Sequence, residues 1–285
     1  MRLGHESNTR TTAQERRAPH EPLTARRGYL ARMPKSHPSM LWLVRHGESL
    51  ANVVRTEAMR GDAHEIDLTQ RDVDVPLSAR GERQASALGR WFAEQPPEQR
   101  PTVVVASPYV RAVRTAERIA AAGGTVAGEA FVPGELVFDE RVREKELGLF
   151  YRLTRAGIEA RYPEHWALRL QLGRFWFRPP GGESWADVAL RLRAALDDIC
   201  REYAGERVLV VCHQVVVLCA RYVIERMTER EIVQVARNHD VANCSVTSYR
   251  GSPGGLMLDR FNFTAPLELE GATVTAEPNV SARVG

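Results

Sequence analysis

Lysine is nearly absent from this sequence. Of 39 basic residues in 285, only Lys35 and Lys145 are lysine and the other 37 are arginine. That bias is expected of GC-rich coding. A nucleic-acid surface would show a basic stripe interleaved with aromatics, which the sequence lacks, so nucleic acid is not an expected partner. Long apolar runs are missing as well. The aliphatic stretches 103–105 and 208–211 are strand-length, against the roughly 18 residues of a membrane helix, and no membrane partner is expected. Cysteine is scarce: Cys200, Cys212, Cys219 and Cys244 form no CxxC pair, and three lie in apolar stretches, where cysteine behaves as a small hydrophobe. A chain this long buries a sizeable core without disulfides, so a reducing cytoplasm is the expected location. No His, Asp or Glu cluster has metal-ligand spacing. The acidic run Asp62, His64, Glu65, Asp67, Asp72 and Asp74 reads as a solvated loop. No metal or other cofactor is expected, and no internal repeat is visible.

The charge is uneven. Residues 1–39 carry a net +5 and the remainder −2, so the basic balance belongs to the first segment. That segment is polar and Arg-rich, with no apolar stretch of the kind a secretory signal needs, and reads as a disordered extension. Met33 and Met40 raise the question of a misassigned start codon. The folded domain is expected over 40–264, with a helical and loop insertion at about 149–182, and 265–285 reads as a loose tail.

From Met40 onward, strands alternate with helices. Leu41-Trp42-Leu43-Val44 is apolar on both faces, the pattern of a buried strand. Helices are expected over 49–59, 78–92, 107–122, 154–161, 183–203 and 214–225, and strands at 102–106, 136–138, 207–212, 245–250 and 256–261. The rest of 141–182 reads as irregular, with the aromatics Trp166, Phe175, Trp176 and Phe177 serving as core or lid. This order predicts an α/β fold, a three-layer α/β/α sandwich around a mostly parallel sheet. Ligands in such sheets bind beyond the C-terminal ends of the strands.

Arg45-His46-Gly47, Ser107-Pro108 and His213-Gln214 all fall at such strand ends. Gly47 is expected to let the backbone approach a ligand closely. Arg111 lies one turn into the helix after Ser107, and a guanidinium fork suits phosphate or carboxylate oxygens. Helix N-termini add partial positive charge. Two imidazoles, two guanidiniums and these dipoles make a site for an anion with several oxygens and repel a metal ion.

The segment Leu43-Val44-Arg45-His46-Gly47-Glu48-Ser49, with Asn52 six residues after the histidine, resembles the signature of the histidine phosphatase superfamily, which includes cofactor-dependent phosphoglycerate mutases and fructose-2,6-bisphosphatases. Four further segments resemble its motifs in the same order. These are Pro76-Leu77-Ser78-Ala79-Arg80-Gly81-Glu82-Arg83-Gln84-Ala85, the Arg111 segment from Ser107 to Ala116, Arg143-Glu144-Lys145-Glu146-Leu147-Gly148, and the pair Gly182-Glu183-Ser184 and Val211-Cys212-His213-Gln214. The resemblance implies the phosphoglycerate mutase-like fold. It also implies a small phosphorylated substrate and a phosphohistidine on His46. Arg45, Arg111 and His213 would hold the phosphoryl oxygens. Glu144, chosen over Glu140 and Glu146 by its spacing to Gly148, would be the general acid. Asn52, Gln214 and Gly47 would complete substrate binding. Glu183 and Ser184 read as helix caps.

The mutases resembled here carry Glu-Arg-His-Tyr-Gly at the acid motif, whereas this chain has Glu144-Lys145-Glu146-Leu147-Gly148. Cys212-His213-Gln214 is closer to the bisphosphatase version than to Gly-His-Gly. The expectation is therefore a phosphatase, with a mutase as the alternative and a catalytically silent binding module as a third reading. Loop 53–76 and insertion 149–182 should set specificity, with Arg60, Arg152, Arg155 and Arg178 as candidate grips for a second acidic group.

Overall fold

A computed structural model describes residues 36–123 and 135–276. The expected extension 1–39 therefore lies outside the described residues except for 36–39. Those four are tied to the domain: His37 meets the Ser252 carbonyl at 2.7 Å through Nε2, and Ser39 N–H donates to the Glu206 carbonyl at 2.8 Å.

Six strands form one sheet: β1 (Met40–Arg45), β2 (Val103–Ala106), β3 (Glu135–Phe138), β4 (Arg207–Cys212), β5 (Val246–Ser252) and β6 (Gly255–Phe263). Their order is β3-β2-β4-β1-β5-β6. The first four run parallel, and β5 and β6 are antiparallel additions at one edge. Because side chains alternate across a strand, each central strand feeds two cores. Leu41, Leu43, Val103, Val105, Val208 and Val210 point to one face. There they meet α6 (Trp185–Glu202) and α7 (Gln214–Ile224). Trp42, Val44, Val104, Ala106, Leu209 and Val211 point to the other. There they meet α2 (Ala79–Glu94) and α3 (Val110–Gly123). This is the expected three-layer α/β/α sandwich.

Three helices were not foreseen, two before residue 264 and one beyond it. α5 (Pro163–Trp176) follows α4 (Arg155–Arg161) inside the insertion. It leaves Leu168, Leu170 and Leu172 exposed, so its sequence shows no apolar stripe. Gly173 at φ 76° breaks it before Phe175 turns into the core. α8 (Glu229–Asn238) was legible in principle. Thr228 and Glu231 form a reciprocal capping box, and Ile232 and Ala236 are its buried pair.

Two segments expected to be loose are packed. In the acidic loop after α1 (Leu50–Arg60), Ile66, Leu68 and Val75 are buried together against Ala51, Val54 and Ala58. These apolar residues sit singly among acids, which hid the cluster. Beyond residue 264, α9 (Ala265–Leu269) buries Leu267 completely, and the chain stays bonded to the domain through Thr275.

Gly47 and Gly81 explain how α2 meets the loop after β1. A Cβ on Gly81 would lie 2.0 Å from the Glu48 carbonyl oxygen, and one on Gly47 2.6 Å from that of Gly81. Gly47 thus admits the close approach of the α2 N-terminus. Replacing Gly81 by Ala should destabilise the fold by about 1–3 kcal/mol, the usual range for overpacking. Urea unfolding would measure it, and an unchanged midpoint would mean that α2 can retreat from the loop.

Candidate active site

The parallel pairing of β1 with β4 places Arg45 opposite Cys212. Both strands therefore end together, and His46 and His213 emerge side by side with ring centroids 5.1 Å apart. The His46 N–H donates to the Cys212 carbonyl at 2.9 Å. On β2, the neighbour of β4, Ser107 ends at the same edge, and its hydroxyl lies 2.8 Å from His213 Nε2. His46, His213, Arg45 and Arg111 are all buried.

His46 is oriented by its own backbone. Its Nδ1 lies 2.7 Å from the Gly47 carbonyl oxygen. A carbonyl only accepts, so Nδ1 carries the proton and Nε2 holds the lone pair. Arg111 Nε donates to that nitrogen at 3.3 Å. Burial, and then the charges of Arg111 and Arg45, hold the His46 pKa well below the ordinary histidine value. His213 is depressed in the same way, by burial first and then by Arg111. Both rings are thus neutral at pH 7. His213 Nδ1 is buried without a hydrogen-bond partner and sits 3.9 Å from the Glu144 carboxylate.

Glu144 lines the same cavity. Burial raises its pKa, against the Lys145 backbone N–H that donates to it at 2.8 Å. Of the three neighbouring glutamates, Glu146 is turned away to accept the Tyr109 hydroxyl at 2.8 Å. The cavity wall does not include Glu140. The acid loop is clamped from α6. Arg191 donates to the carbonyls of Arg141 at 2.6 Å and Glu144 at 3.2 Å. Glu183 accepts the Glu146 N–H at 3.0 Å and pairs with Arg143 and Arg191. Ser184 is the cap of α6, as expected, and shares a capping box with Asp187. Glu183 instead secures the acid loop.

Asn52 also caps a helix: its Oδ1 accepts the Ser49 N–H at 3.0 Å at the start of α1. It faces the cavity as well, as does Gln214, whose Nε2 is buried with no partner. Gly47 is not on the cavity wall. The sequence reading missed Asp72. Its carboxylate accepts from Arg111 Nη2 at 3.2 Å and holds the guanidinium over His46. A lone acid among five other acidic or histidine residues carries no spacing signal.

The cavity, about 250 Å³, extends from His46 into the insertion. Its far wall carries Lys145, Arg155, Arg169 and Arg174 beside Phe150, Trp166, Phe177 and Trp185. Arg174 stacks on Trp185 at 4.4 Å, and Arg169 on Trp166 at 5.5 Å. Burial pushes Lys145 down to about 8 and Arg174 down to about 9. Among the arginines expected to grip a second acidic group, only Arg155 lines this wall. Arg178 pairs with Asp187 at the surface, and Arg60 and Arg152 lie off the wall. Of the aromatics, Trp166 and Phe177 face the cavity, Phe175 packs on Tyr222, and Trp176 is exposed.

Among the described residues no group of three His, Cys, Asp or Glu could hold a metal ion, and no helix is long and apolar enough to cross a membrane.

Comparison with known proteins covers most of the domain. The chain is 30% identical over 236 residues to the probable phosphoglycerate mutase GpmB of Yersinia enterocolitica, covering 80% of this chain and 95% of that protein. It is 32% identical over 193 residues to the 6-phosphofructo-2-kinase/fructose-2,6-bisphosphatase of Gallus gallus, of which it spans about a third (34%) while using 67% of itself. Among solved structures, a mycobacterial glucosyl-3-phosphoglycerate phosphatase with VO3 superposes with a TM-score of 0.56 at 26% identity, covering 79% of this chain and 99% of that one. Bacillus stearothermophilus YhfR gives 0.62 at 25% identity, covering 79% and 96%. The sequence pattern of the histidine phosphatase superfamily (branch 1) matches residues 41–264, a stretch running from the first strand to the residue that caps α9, and the chain belongs to that superfamily.

Proposed function

We propose that the protein hydrolyses phosphate monoesters, without a metal, through a phosphohistidine on His46. The observation that carries this is the His46 ring itself. It is neutral, with Nδ1 engaged by the Gly47 carbonyl and the Nε2 lone pair facing the Arg111 guanidinium.

In the first step Nε2 attacks phosphorus and the bond from phosphorus to the leaving oxygen breaks. Arg111 and Arg45 balance the charge on the phosphoryl oxygens, the largest contribution in transfers of this kind. His213 donates from Nδ1 while its Nε2 accepts the Ser107 hydroxyl. Glu144, whose pKa burial raises, gives its proton to the leaving oxygen. In the second step the Glu144 carboxylate takes a proton from water, whose oxygen attacks phosphorus and frees His46. Guanidiniums and imidazoles supply the electrostatics a metal would otherwise bring. Hydrolysis rather than mutase transfer is supported by Lys145-Glu146-Leu147 in place of the mutase Arg-His-Tyr.

The cations of the far wall favour a substrate with a second anionic group. A buried Lys145 or Arg174 is costly to keep charged, and a bound anion offsets that cost. Arg174→Ala should raise KM severalfold for sugar bisphosphates or phosphorylated sugar acids and leave p-nitrophenyl phosphate little changed. Equal losses on both would remove the second-anion reading.

The primary test is phosphate release from a panel of phosphomonoesters, with 3-phosphoglycerate primed by 2,3-bisphosphoglycerate run in parallel for isomerisation. His46→Ala should abolish turnover and leave circular dichroism unchanged, and EDTA should leave the rate unchanged. Activity retained in His46→Ala would overturn the mechanism; isomerisation with little release would make the protein a mutase.

The pH profile has a defined sign. On the acid side kcat/KM should fall only as His46 takes up a proton, well below the ordinary value of 6.5. On the alkaline side it should fall as Glu144 loses its proton, above the ordinary 4.5. Glu144→Gln should erase the alkaline limb. It should also slow alkyl phosphates far more than p-nitrophenyl phosphate, whose leaving group needs little protonation. An acid limb centred at 6.5 would show that burial does not keep His46 neutral.

A further inference from the structure

The loop that presents His46 has its backbone groups taken up one by one. The His46 N–H goes to β4, and the Gly47 N–H donates to Thr115 Oγ1 at 3.0 Å. The Arg45 carbonyl accepts the Cys244 N–H at 2.9 Å. The Gly47 carbonyl meets His46 Nδ1, and the Glu48 carbonyl accepts the Ser78 N–H at 2.8 Å. Two further groups meet primary amides from distant parts of the chain, the His46 carbonyl beside a longer 3.4 Å contact from the Cys244 N–H. Gln84 Oε1 accepts the Glu48 N–H at 2.8 Å, and Asn243 Nδ2 donates to the His46 carbonyl at 3.1 Å and to Asn52 Oδ1 at 3.3 Å. Both amides are buried, with 0% and 1% exposure.

A primary amide is two-faced: a half turn about its last bond exchanges donor for acceptor. Each amide here grips the loop correctly in only one of the two orientations, so something must set that orientation. The opposite ends of both amides meet one short segment. Gln84 Nε2 donates to the Thr273 carbonyl and to Thr275 Oγ1, each at 2.8 Å. Thr275 Oγ1 in turn donates to Asn243 Oδ1 at 3.1 Å, and the Thr275 carbonyl accepts the Asn243 N–H at 2.8 Å. One hydroxyl therefore accepts from the first amide and donates to the second. The segment is anchored by Leu267, fully buried, and by the Ala272 N–H donating to the Leu267 carbonyl at 2.8 Å. It lies beyond residue 264, outside the region matched by the superfamily pattern.

We infer that Thr275 is a positioning residue for the phosphoryl-transfer site: the Thr273 carbonyl fixes Gln84, whose Nε2 occupies the Thr275 lone pair, so the Thr275 hydroxyl proton goes to Asn243 Oδ1 and turns Asn243 Nδ2 to the His46 carbonyl, and this holds the backbone that orients the His46 ring. The ring is sensitive to such control because its proton is held by the next carbonyl in the same loop. If the peptide between Gly47 and Glu48 turns, the bond to Nδ1 turns with it, and Nε2 leaves the line of attack.

The role rests on the proposed use of His46, so the test has one readout that needs turnover and one that does not. In the full chain, Thr275→Val keeps the shape and removes the hydroxyl, and Thr275→Ser keeps the hydroxyl. For Thr275→Val we expect kcat to fall about ten- to a hundredfold, the size of effect that slight misplacement of a reacting group produces, with KM changed less than about threefold. Thr275→Ser should restore kcat. Independently, imidazole 15N NMR should show His46 as a single Nδ1–H tautomer in the native protein and in Thr275→Ser, and as a tautomer mixture in Thr275→Val. Native kcat and a single tautomer in Thr275→Val would overturn the inference. So would a Thr275→Ser variant as impaired as Thr275→Val, since then the side-chain volume and not the hydroxyl would matter. If no phosphomonoester is turned over at all, the NMR comparison still decides the matter, and the failure belongs to the proposed reaction.

Discussion

Two imidazoles and two guanidiniums can share a water-poor wall only if the imidazoles stay uncharged. The in-register parallel pairing of β1 with β4 forces that situation. It ends both strands at one level, brings the His46 and His213 rings to 5.1 Å, and buries both. Desolvation and the neighbouring positive charge then act in the same direction on each ring. A neutral imidazole keeps a lone pair free for attack at any pH above its depressed pKa, as the proposed reaction requires. The same burial acts oppositely on Glu144 and raises its pKa. One structural constraint thus pushes the pKa values of the imidazoles and the carboxyl apart, the arrangement that the proposed displacement needs.

Around this centre the molecule separates holding from selecting. The ends of β1, β2 and β4 carry His46, Ser107 and His213, on a sheet whose central strands are buried on both faces. The far wall of the cavity comes largely from the insertion, where α4 and α5 bring Arg155, Trp166, Arg169 and Arg174. A rigid edge suits groups that must meet phosphorus in line. A helical insertion with exposed leucines can vary in sequence without disturbing that edge. Stacking guanidiniums on Trp166 and Trp185 keeps them extended into the cavity.

The loops that carry the reacting groups are fastened by polar side chains from far away in sequence. Glu183 and Arg191 fasten the acid loop from α6. Gln84 and Asn243 fasten the His46 loop from α2 and the approach to β5, and both bond to Thr275 in the segment after α9. Buried amides and ion pairs of this kind contribute little net stability, because their desolvation offsets most of the gain. What they supply is a unique geometry, since each has only one arrangement in which every donor meets an acceptor.

The sequence by itself determined the layers and which residues gather at the sheet edge. Apolar runs at 41–44, 103–106 and 208–212 define strands buried on both faces, and polar breaks directly after them put Arg45, His46, Ser107 and His213 at one edge, because parallel strands end on the same side. The resemblance of five ordered segments chose Glu144 among three glutamates, and in the structure that is the one beside His213. Tertiary structure decided the rest. Asp72, one acid among several, acquires its place only when its loop closes over Ile66 and Val75 and reaches Arg111. Gly47 serves the approach of α2 because Gly81 packs against it. Arg169 and Arg174 sit on a helix with no apolar stripe, so neither the helix nor their shared wall could be read from periodicity. Thr275 looks like any threonine in a polar tail. Local sequence specifies elements through periodicity and capping, but which side chains meet across 36 or 197 residues, as Gln84 and Asn243 do at the His46 loop, is settled only by packing.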